Sequence, residues 1–176
     1  MILGVTGYIA AGKDEFCKIL ERKGFKHISL SDLLREILEE QGKEKSRENL
    51  TKLGSELREK EGDGALAKKA LKKVKEGNWL VSSIGRVAEA EELRKNTDFK
   101  LIFITASQET RFERIKSRKR KGDTTTLEEF KKQEEREAKG KNKYREFDNL
   151  KEKADIIIEN NDTIKELERK AKEVIN

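Results

Sequence analysis

Short, nearly unbroken apolar runs at positions 2–5, 27–30, 79–81, 101–104 and 156–158 punctuate a chain that is otherwise strongly polar. Between them, apolar residues recur every three or four positions over 13–23, 32–40, 47–60, 65–76, 88–95, 109–119, 127–138 and 163–174. That period predicts helices with one buried stripe, whereas a continuous apolar run between polar turns predicts a strand buried on both faces. Strands alternating with helices predict a five-stranded parallel sheet covered on both sides, a three-layer α/β architecture. Ligands of such sheets bind beyond the carboxyl ends of the strands, so the residues just after the five runs are the first place to look for chemistry. Segments 122–126 and 140–148 are too polar and glycine-interrupted for a core and read as mobile surface segments.

After the first apolar run comes Gly7-Tyr8-Ile9-Ala10-Ala11-Gly12-Lys13-Asp14-Glu15, and then the first amphipathic stretch. This is the spacing G-x-x-x-x-G-K of a phosphate-binding loop, without the Ser or Thr that usually follows the lysine. The two glycines let successive backbone N–H groups converge on a triphosphate, and Lys13 reaches its terminal oxygens. The helix that follows aims its positive end at the same anion. The required context of strand, loop and helix is present, so ATP is the expected nucleotide, held by residues 7–15. Asp14 has two readings. It holds Mg²⁺ through oxygen, directly or by way of water, or it only favours the helix N-terminus electrostatically.

Composition narrows the class. The 176 residues suffice for one domain with a substantial core, 43% of them are charged, and proline is absent. Glu/Lys richness of this kind is a hyperthermophile trait. The net charge of +6 suits a protein with phosphorylated ligands and does not by itself require nucleic acid. One cysteine, Cys17, excludes an internal disulfide, reads as a small core residue and fits a reducing cytoplasm. There is no secretory segment and no apolar run near membrane-spanning length, so a soluble protein is expected. No zinc spacing, catalytic triad or redox pair is visible.

Further stretches resemble the nucleoside-monophosphate-kinase-like group of P-loop phosphotransferases, including small kinases of the AAA-family ATPase and dephospho-CoA-kinase type. Ser29-Leu30-Ser31-Asp32-Leu33-Leu34-Arg35 is similar to the segment that opens their acceptor site. The resemblance implies acceptor-phosphate contacts by Ser31 and Arg35, within an acceptor-binding insertion of about 30–76. Leu57-Arg58-Glu59, Gly62 and Gly64-Ala65-Leu66-Ala67 resemble the same proteins. Glu109-Thr110-Arg111-Phe112-Glu113-Arg114, Arg118-Lys119-Arg120, residues 126–130 and residues 134–137 resemble their arginine-bearing lid, about 118–148 here. Residues 154–158 with Asn160 and Asn161 resemble the last strand and the loop near the base. One departure is evident: relatives carry an acid at the end of the third strand and an arginine three positions on, where this chain has Ser82 and Gly85, with Arg86 one place late.

Phosphoryl transfer needs in-line positioning and positive charge over the equatorial oxygens. Lys13 serves the donor, Arg35 and either Arg58 or Arg86 the acceptor, and Arg114, Arg118 and Arg120 the lid, since the planar guanidinium binds phosphate bidentately. Each has a plainer reading: Arg35 as a helix partner of Glu39, Arg58 as a solvated face, Asp32 as the cap of the second helix, His27 as a structural strand residue, and Tyr8 packing on the acceptor or facing solvent. The basic run 116–121 lacks interleaved aromatics, which favours a lid over a nucleic-acid patch. The expectation is an ATP- and Mg²⁺-dependent kinase, monomer or homodimer, acting on a small phosphorylated acceptor. A nucleoside or deoxynucleoside monophosphate leads, dephospho-CoA follows, and the other classes are a nucleotide-binding module that has lost catalysis and an RNA-associated ATPase.

Overall fold

A computed structural model of the protein describes residues 1–118, 126–138 and 146–175. The five apolar runs form strands β1 (Ile2–Gly7), β2 (Lys26–Ser29), β3 (Trp79–Ser82), β4 (Phe99–Thr105) and β5 (Ile156–Glu159). They pair in parallel, as the sequence pattern predicts, and the structure sets their order as β2-β3-β1-β4-β5. The described helices are α1 (Lys13–Glu21), α2 (Leu30–Glu40), α3 (Arg47–Glu61), α4 (Ala65–Lys73), α5 (Val87–Arg94), α6 (Gln108–Arg118), α7 (Leu127–Ala138), α8 (Phe147–Glu152) and α9 (Ile164–Ile175).

Side-chain alternation along the strands divides the core into two layers. Leu3, Val5, Leu80, Ile102, Ile104 and Ile158 face α1 and α9, meeting Phe16, Leu20, Leu167 and Ala171. Ile2, Val81, Leu101 and Phe103 face the other way, against Leu33 of α2, Leu66 and Ala70 of α4, Leu93 of α5 and Leu150 of α8. Because both faces of the central strands β1 and β3 are covered, these contain no polar alternation, whereas the edge strands β2 and β5 keep exposed residues. Each fully buried large side chain contributes about 1.5–3 kcal/mol. A third cluster, Phe112, Ile115 and Phe130 with Ile9, Ala10 and Leu127, docks α7 on α6 and on the phosphate-binding loop.

Two boundaries differ from the pattern-based reading. The second helix begins at Leu30 with extended Ser29 as its N-cap, so Asp32 lies inside the first turn and is not the cap. Segment 140–148 ends in the start of α8, which polarity had hidden: Phe147 and Leu150 are buried, anchoring a six-residue helix under β1. Residues 119–125 and 139–145, with much of the expected lid, lie outside the described residues. No helix among the described residues is long and apolar enough to cross a membrane.

The strand register places the site. Ser82 aligns with Ser29 of β2 and with Val5 of β1, just before the loop, and Gly7 aligns with Ile104. The other end of the neighbouring edge is tied by Asp155, which precedes β5. Its carboxylate accepts from the Leu101 backbone N–H at 2.7 Å and from Arg94 at 3.0 Å. Burial pushes the Asp155 carboxyl up, but the Arg94 and Leu101 hydrogen bonds and the Arg94 charge outweigh it and leave the carboxyl below its usual range. A depressed carboxylate stabilises the fold above the unfolded-chain value, near 4, and loses that contribution as pH falls through the folded value. Asp155→Ala is expected to cost about 1–2 kcal/mol near neutral pH, with the difference from wild type shrinking in acid. Urea unfolding at neutral and acid pH checks this, and a difference that is constant with pH would refute it.

Candidate active site

The loop after β1 turns through three left-handed residues, Gly7 (φ 140°), Ala10 (φ 57°) and Gly12 (φ 100°). Glycine is required at both ends. A Cβ on Gly7 would lie 2.0 Å from the Ile104 carbonyl oxygen, and one on Gly12 would lie 2.2 Å from Asn160 Nδ2. Ala10 adopts the same region with a side chain, a conformation uncommon outside glycine. It is held by packing against Phe112, Ile115 and Phe130.

A loop that aims its N–H groups inward turns its carbonyls outward, and each carbonyl needs a donor. Lys13 Nζ donates to the Gly7 and Tyr8 carbonyls at 2.9 and 2.6 Å. Arg111 reaches the Ile9 carbonyl at 3.5 Å, and Arg114 reaches those of Ala10 and Ala11, both at 3.4 Å. Asn160 Nδ2 donates to the Ala11 carbonyl at 2.8 Å, and the Gly12 carbonyl takes the first helical N–H, that of Phe16, at 3.0 Å. The arginine contacts are long and individually weak. Together they surround the outer side of the loop.

Arg114, expected on the lid, therefore sits on α6 behind the loop, where it also donates to the Asn160 carbonyl at 2.9 Å. Desolvation there lowers its pKa. Arg118 closes α6 at the edge of the described residues, and Arg120 lies outside them. Glu15 is on the outer face of α1, near Lys18 and Arg22. Tyr8 is half-buried and borders a cavity on this side of the loop. Its ring packs edge-on against Phe103 and Phe147, and its hydroxyl donates to Asp148 at 2.8 Å. Burial and then that hydrogen bond push the phenol up to about 12.

Arg111 and Glu134, which the sequence quoted only within lid-like stretches, form the buried ion pair of this region. Both guanidinium nitrogens meet the Glu134 carboxylate, Nη2 at 2.9 Å, while Nε donates to the Ala106 carbonyl. The guanidinium also lies over the rings of Tyr8 and Phe130, at 5.0 and 5.4 Å. With Ile9, Gln108, Glu135 and Phe147 the pair lines a cavity of about 240 Å³ beside the loop.

On the opposite side, a polar cavity of about 380 Å³ opens at the carboxyl ends of β2 and β3. It brings together Asp14 from α1, Ser29, Ser31 and Arg35 from the start of α2, and Ser82 and Ser83 from the end of β3. Ser29, Ser31 and Ser83 form a triangle of hydroxyls 2.9–3.2 Å apart. Ser83 has φ 62°, so the turn is bent to present it. Arg35 Nη1 donates to Ser31 and to Asp32, at 3.0 and 2.6 Å, rather than reaching Glu39. His27, read as a structural strand residue, also lines this cavity, bridging Glu21 and Ser82. Cys17 borders the cavity but is nearly wholly buried. Burial, then the charges of Asp14 and Glu21, push its thiol up to about 12, so a core role fits it.

Arg58 and Arg86 do not line this cavity. They face Glu89, buried under the β3–α5 turn, whose carboxylate accepts from the Gly85 and Arg86 backbone N–H groups. Burial pushes Glu89 up, and those hydrogen bonds and the two arginines oppose it. Arg86 also pairs with Asp63 at 3.0 Å. No group of three or more His, Cys, Asp or Glu residues suited to a metal occurs among the described residues. The oxygen donors around Asp14 nevertheless fit Mg²⁺, which binds few carboxylates and completes its shell with phosphate oxygens and water.

A family model described as an AAA domain matches residues 6–131. A UPF0200 protein of Sulfurisphaera tokodaii is 34% identical over 175 residues, which cover 99% of this chain and 95% of that protein. A UPF0200/UPF0201 protein of Archaeoglobus fulgidus is also 34% identical, over 181 residues, and this chain spans 54% of its length. Among solved structures, the dephospho-CoA kinase of Campylobacter jejuni aligns with a TM-score of 0.62 over 99% of this chain and 94% of that one, at 23% identity. The likeness is one of fold, that of the P-loop kinases.

Removing one partner of a buried ion pair leaves the other charge uncompensated. Glu134→Ala is expected to lower stability by about 3–5 kcal/mol, and Glu134→Gln by less, because it keeps one acceptor oxygen for Arg111. Urea unfolding of the two variants checks this. Equal, near-zero effects would show that the pair does not hold α7 to α6.

Proposed function

This chain belongs to the AAA-domain family and groups with the UPF0200 proteins, and from that premise we propose that it is an ATP- and Mg²⁺-dependent phosphotransferase for a small phosphorylated acceptor. The observation that carries this reading is the pairing of a phosphate-binding loop with a separate polar cavity. The cavity holds Asp14 on the donor side and Ser31 and Arg35 on the acceptor side. Loop amides and Lys13 hold the donor phosphates, and Lys13 exchanges its Gly7 and Tyr8 carbonyls for phosphate oxygens when nucleotide binds. Asp14 is the residue that holds Mg²⁺, which neutralises charge on the terminal phosphates. Arg35, steadied by Asp32, and the triangle of hydroxyls receive the acceptor's phosphate. Arg118, at the end of α6, serves the transferring group, whereas Arg114 acts through the loop backbone. Arg58 and Arg86 join the acceptor site only if it extends past the β3–α5 turn.

Two acceptor classes fit: nucleoside or deoxynucleoside monophosphates, and dephospho-CoA. A second reading, nucleotide binding without turnover, is favoured by one observation: the third-strand acid of comparable kinases is replaced by Ser82.

ADP formation from Mg-ATP across both acceptor classes tests the proposal, run warm and at room temperature with Lys13→Ala as control. Stimulation by an acceptor, lost in the control, is expected. Nucleotide binding with no stimulation by any acceptor would select the second reading.

The role of Asp14 has its own test. Asp14→Ala is expected to raise the Mg²⁺ concentration needed for tight ATP binding, measured by calorimetry at stepped Mg²⁺. An unchanged requirement would return Asp14 to a helix-start role.

A further inference from the structure

One chain of hydrogen bonds in the polar cavity belongs to no cap and no strand pairing. Glu21 Oε1 lies 2.7 Å from His27 Nδ1, and His27 Nε2 lies 2.7 Å from Ser82 Oγ. With Glu21 ionised, Nδ1 carries the proton and donates to it, so Nε2 offers a lone pair and accepts from the Ser82 hydroxyl. The three residues come from the end of α1, from β2 and from the end of β3. All three border the cavity that holds Asp14, Ser31 and Arg35. Ser82 is 9% exposed, the His27 side chain 25% and the Glu21 side chain 40%, so the relay runs from a buried hydroxyl at the cavity to a solvent-exposed carboxylate. Because the Ser82 hydrogen is committed to His27, its oxygen lone pairs are available to a donor within the cavity.

A phosphate oxygen needs no base to attack, because it is already ionised near neutral pH. An alcohol does need one, and a positioned base contributes about 10²–10⁴-fold to such a step. Resting on the phosphotransferase reading above, we propose that Glu21, His27 and Ser82 form a proton relay and that the acceptor atom is therefore a hydroxyl of the phosphorylated substrate. The acceptor oxygen attacks the γ-phosphorus and forms the new P–O bond. The bond from that phosphorus to the bridging oxygen breaks, and its electron pair leaves on ADP. The acceptor's proton passes to Ser82 Oγ as the Ser82 proton passes to His27 Nε2. Glu21 stabilises the imidazolium, which then releases the proton to water. Ser82 thus stands in for the acid usually found at this strand end by connecting to a base from a neighbouring strand. Ser82 and His27 are the catalytic residues, and Glu21 is a positioning residue.

The test measures ADP formation, and the position of the new phosphate in the product, with a phosphorylated alcohol acceptor (dephospho-CoA) and with nucleoside monophosphates, for wild type, His27→Gln, Ser82→Ala and Ser82→Thr. Mg-ATP binding is measured alongside to report the integrity of the loop. Stimulation by an alcohol acceptor is expected. His27→Gln and Ser82→Ala should lower kcat about 10²-fold with little change in KM or Mg-ATP affinity, and Ser82→Thr should keep most of the rate. In His27→Gly, added imidazole should restore part of the rate, a rescue that a purely structural role would not show. Unchanged kcat in both His27→Gln and Ser82→Ala would overturn the relay, as would transfer to phosphate oxygens alone. Stoichiometric transfer of the γ-phosphoryl to Ser82 would overturn it in favour of a covalent route. If no acceptor stimulates wild type, the phosphotransferase reading falls, and the relay with it.

Discussion

The need to satisfy the outward carbonyls of residues 7–12 organises much of the molecule. A loop shaped to offer N–H groups to an anion has few left for its own carbonyls (Ala11 N–H turns back to the Tyr8 carbonyl at 3.3 Å), and buried carbonyls without donors are costly. The donors come from Lys13 within the loop, Arg111 and Arg114 on α6, and Asn160 after β5. That demand fixes α6 against the loop and brings the β5 end to Gly12. It explains why Gly12 has no room for a side chain, since Asn160 occupies that space. It also gives Arg114 a role different from that of a mobile phosphate clamp. Its guanidinium is committed to backbone on the far side of the loop from the polar cavity.

The same economy extends to α7. Arg111 joins the Ile9 carbonyl, the Ala106 carbonyl, two aromatic rings and Glu134, so one cation couples the loop, α6 and α7. Buried ion pairs rarely add much net stability over apolar packing, but breaking one is expensive. The pair therefore specifies where α7 docks more than it strengthens the fold. The apolar cluster of Phe112, Ile115 and Phe130 supplies the burial. Donor-side geometry and the base of the lid thus form one mechanical unit.

The acceptor side is built differently. It is lined by the hydroxyls of Ser29, Ser31, Ser82 and Ser83, and Arg35 is paired with Asp32 and His27 with Glu21. A neutral serine at the end of β3 adds no negative charge to the cavity that Asp14 borders. It is also no direct base, and His27 on the adjacent strand is the group placed to supply one. Substitutions at 14 and 82 thus act on the same cavity, although they are far apart in the chain.

Much of the architecture was legible in the chain itself. Five apolar runs with no polar alternation require a sheet covered on both faces, and the G-x-x-x-x-G-K spacing after the first run requires a phosphate loop, because both depend only on local periodicity and backbone freedom. That Ser31, Arg35 and Asp14 lie at one edge was legible for the same reason, each standing directly after a strand or loop whose end the topology directs there. Other features depended on contacts between distant residues. Phe147 looked like part of a polar surface segment until Tyr8 and β1 gave it a place to bury. Arg58 and Arg86 read as acceptor ligands in the chain, but neither lines the polar cavity; their charges act on Glu89, and Arg86 pairs with Asp63. The Glu21–His27–Ser82 chain left no mark in spacing, since three side chains separated by a helix end and two strands meet only when β2 and β3 pair in register. Local periodicity and loop stereochemistry determined what the elements are and where the glycine-bounded loop turns; strand register and the search of buried polar groups for partners decided which side chains share the polar cavity and which are bound to the loop backbone.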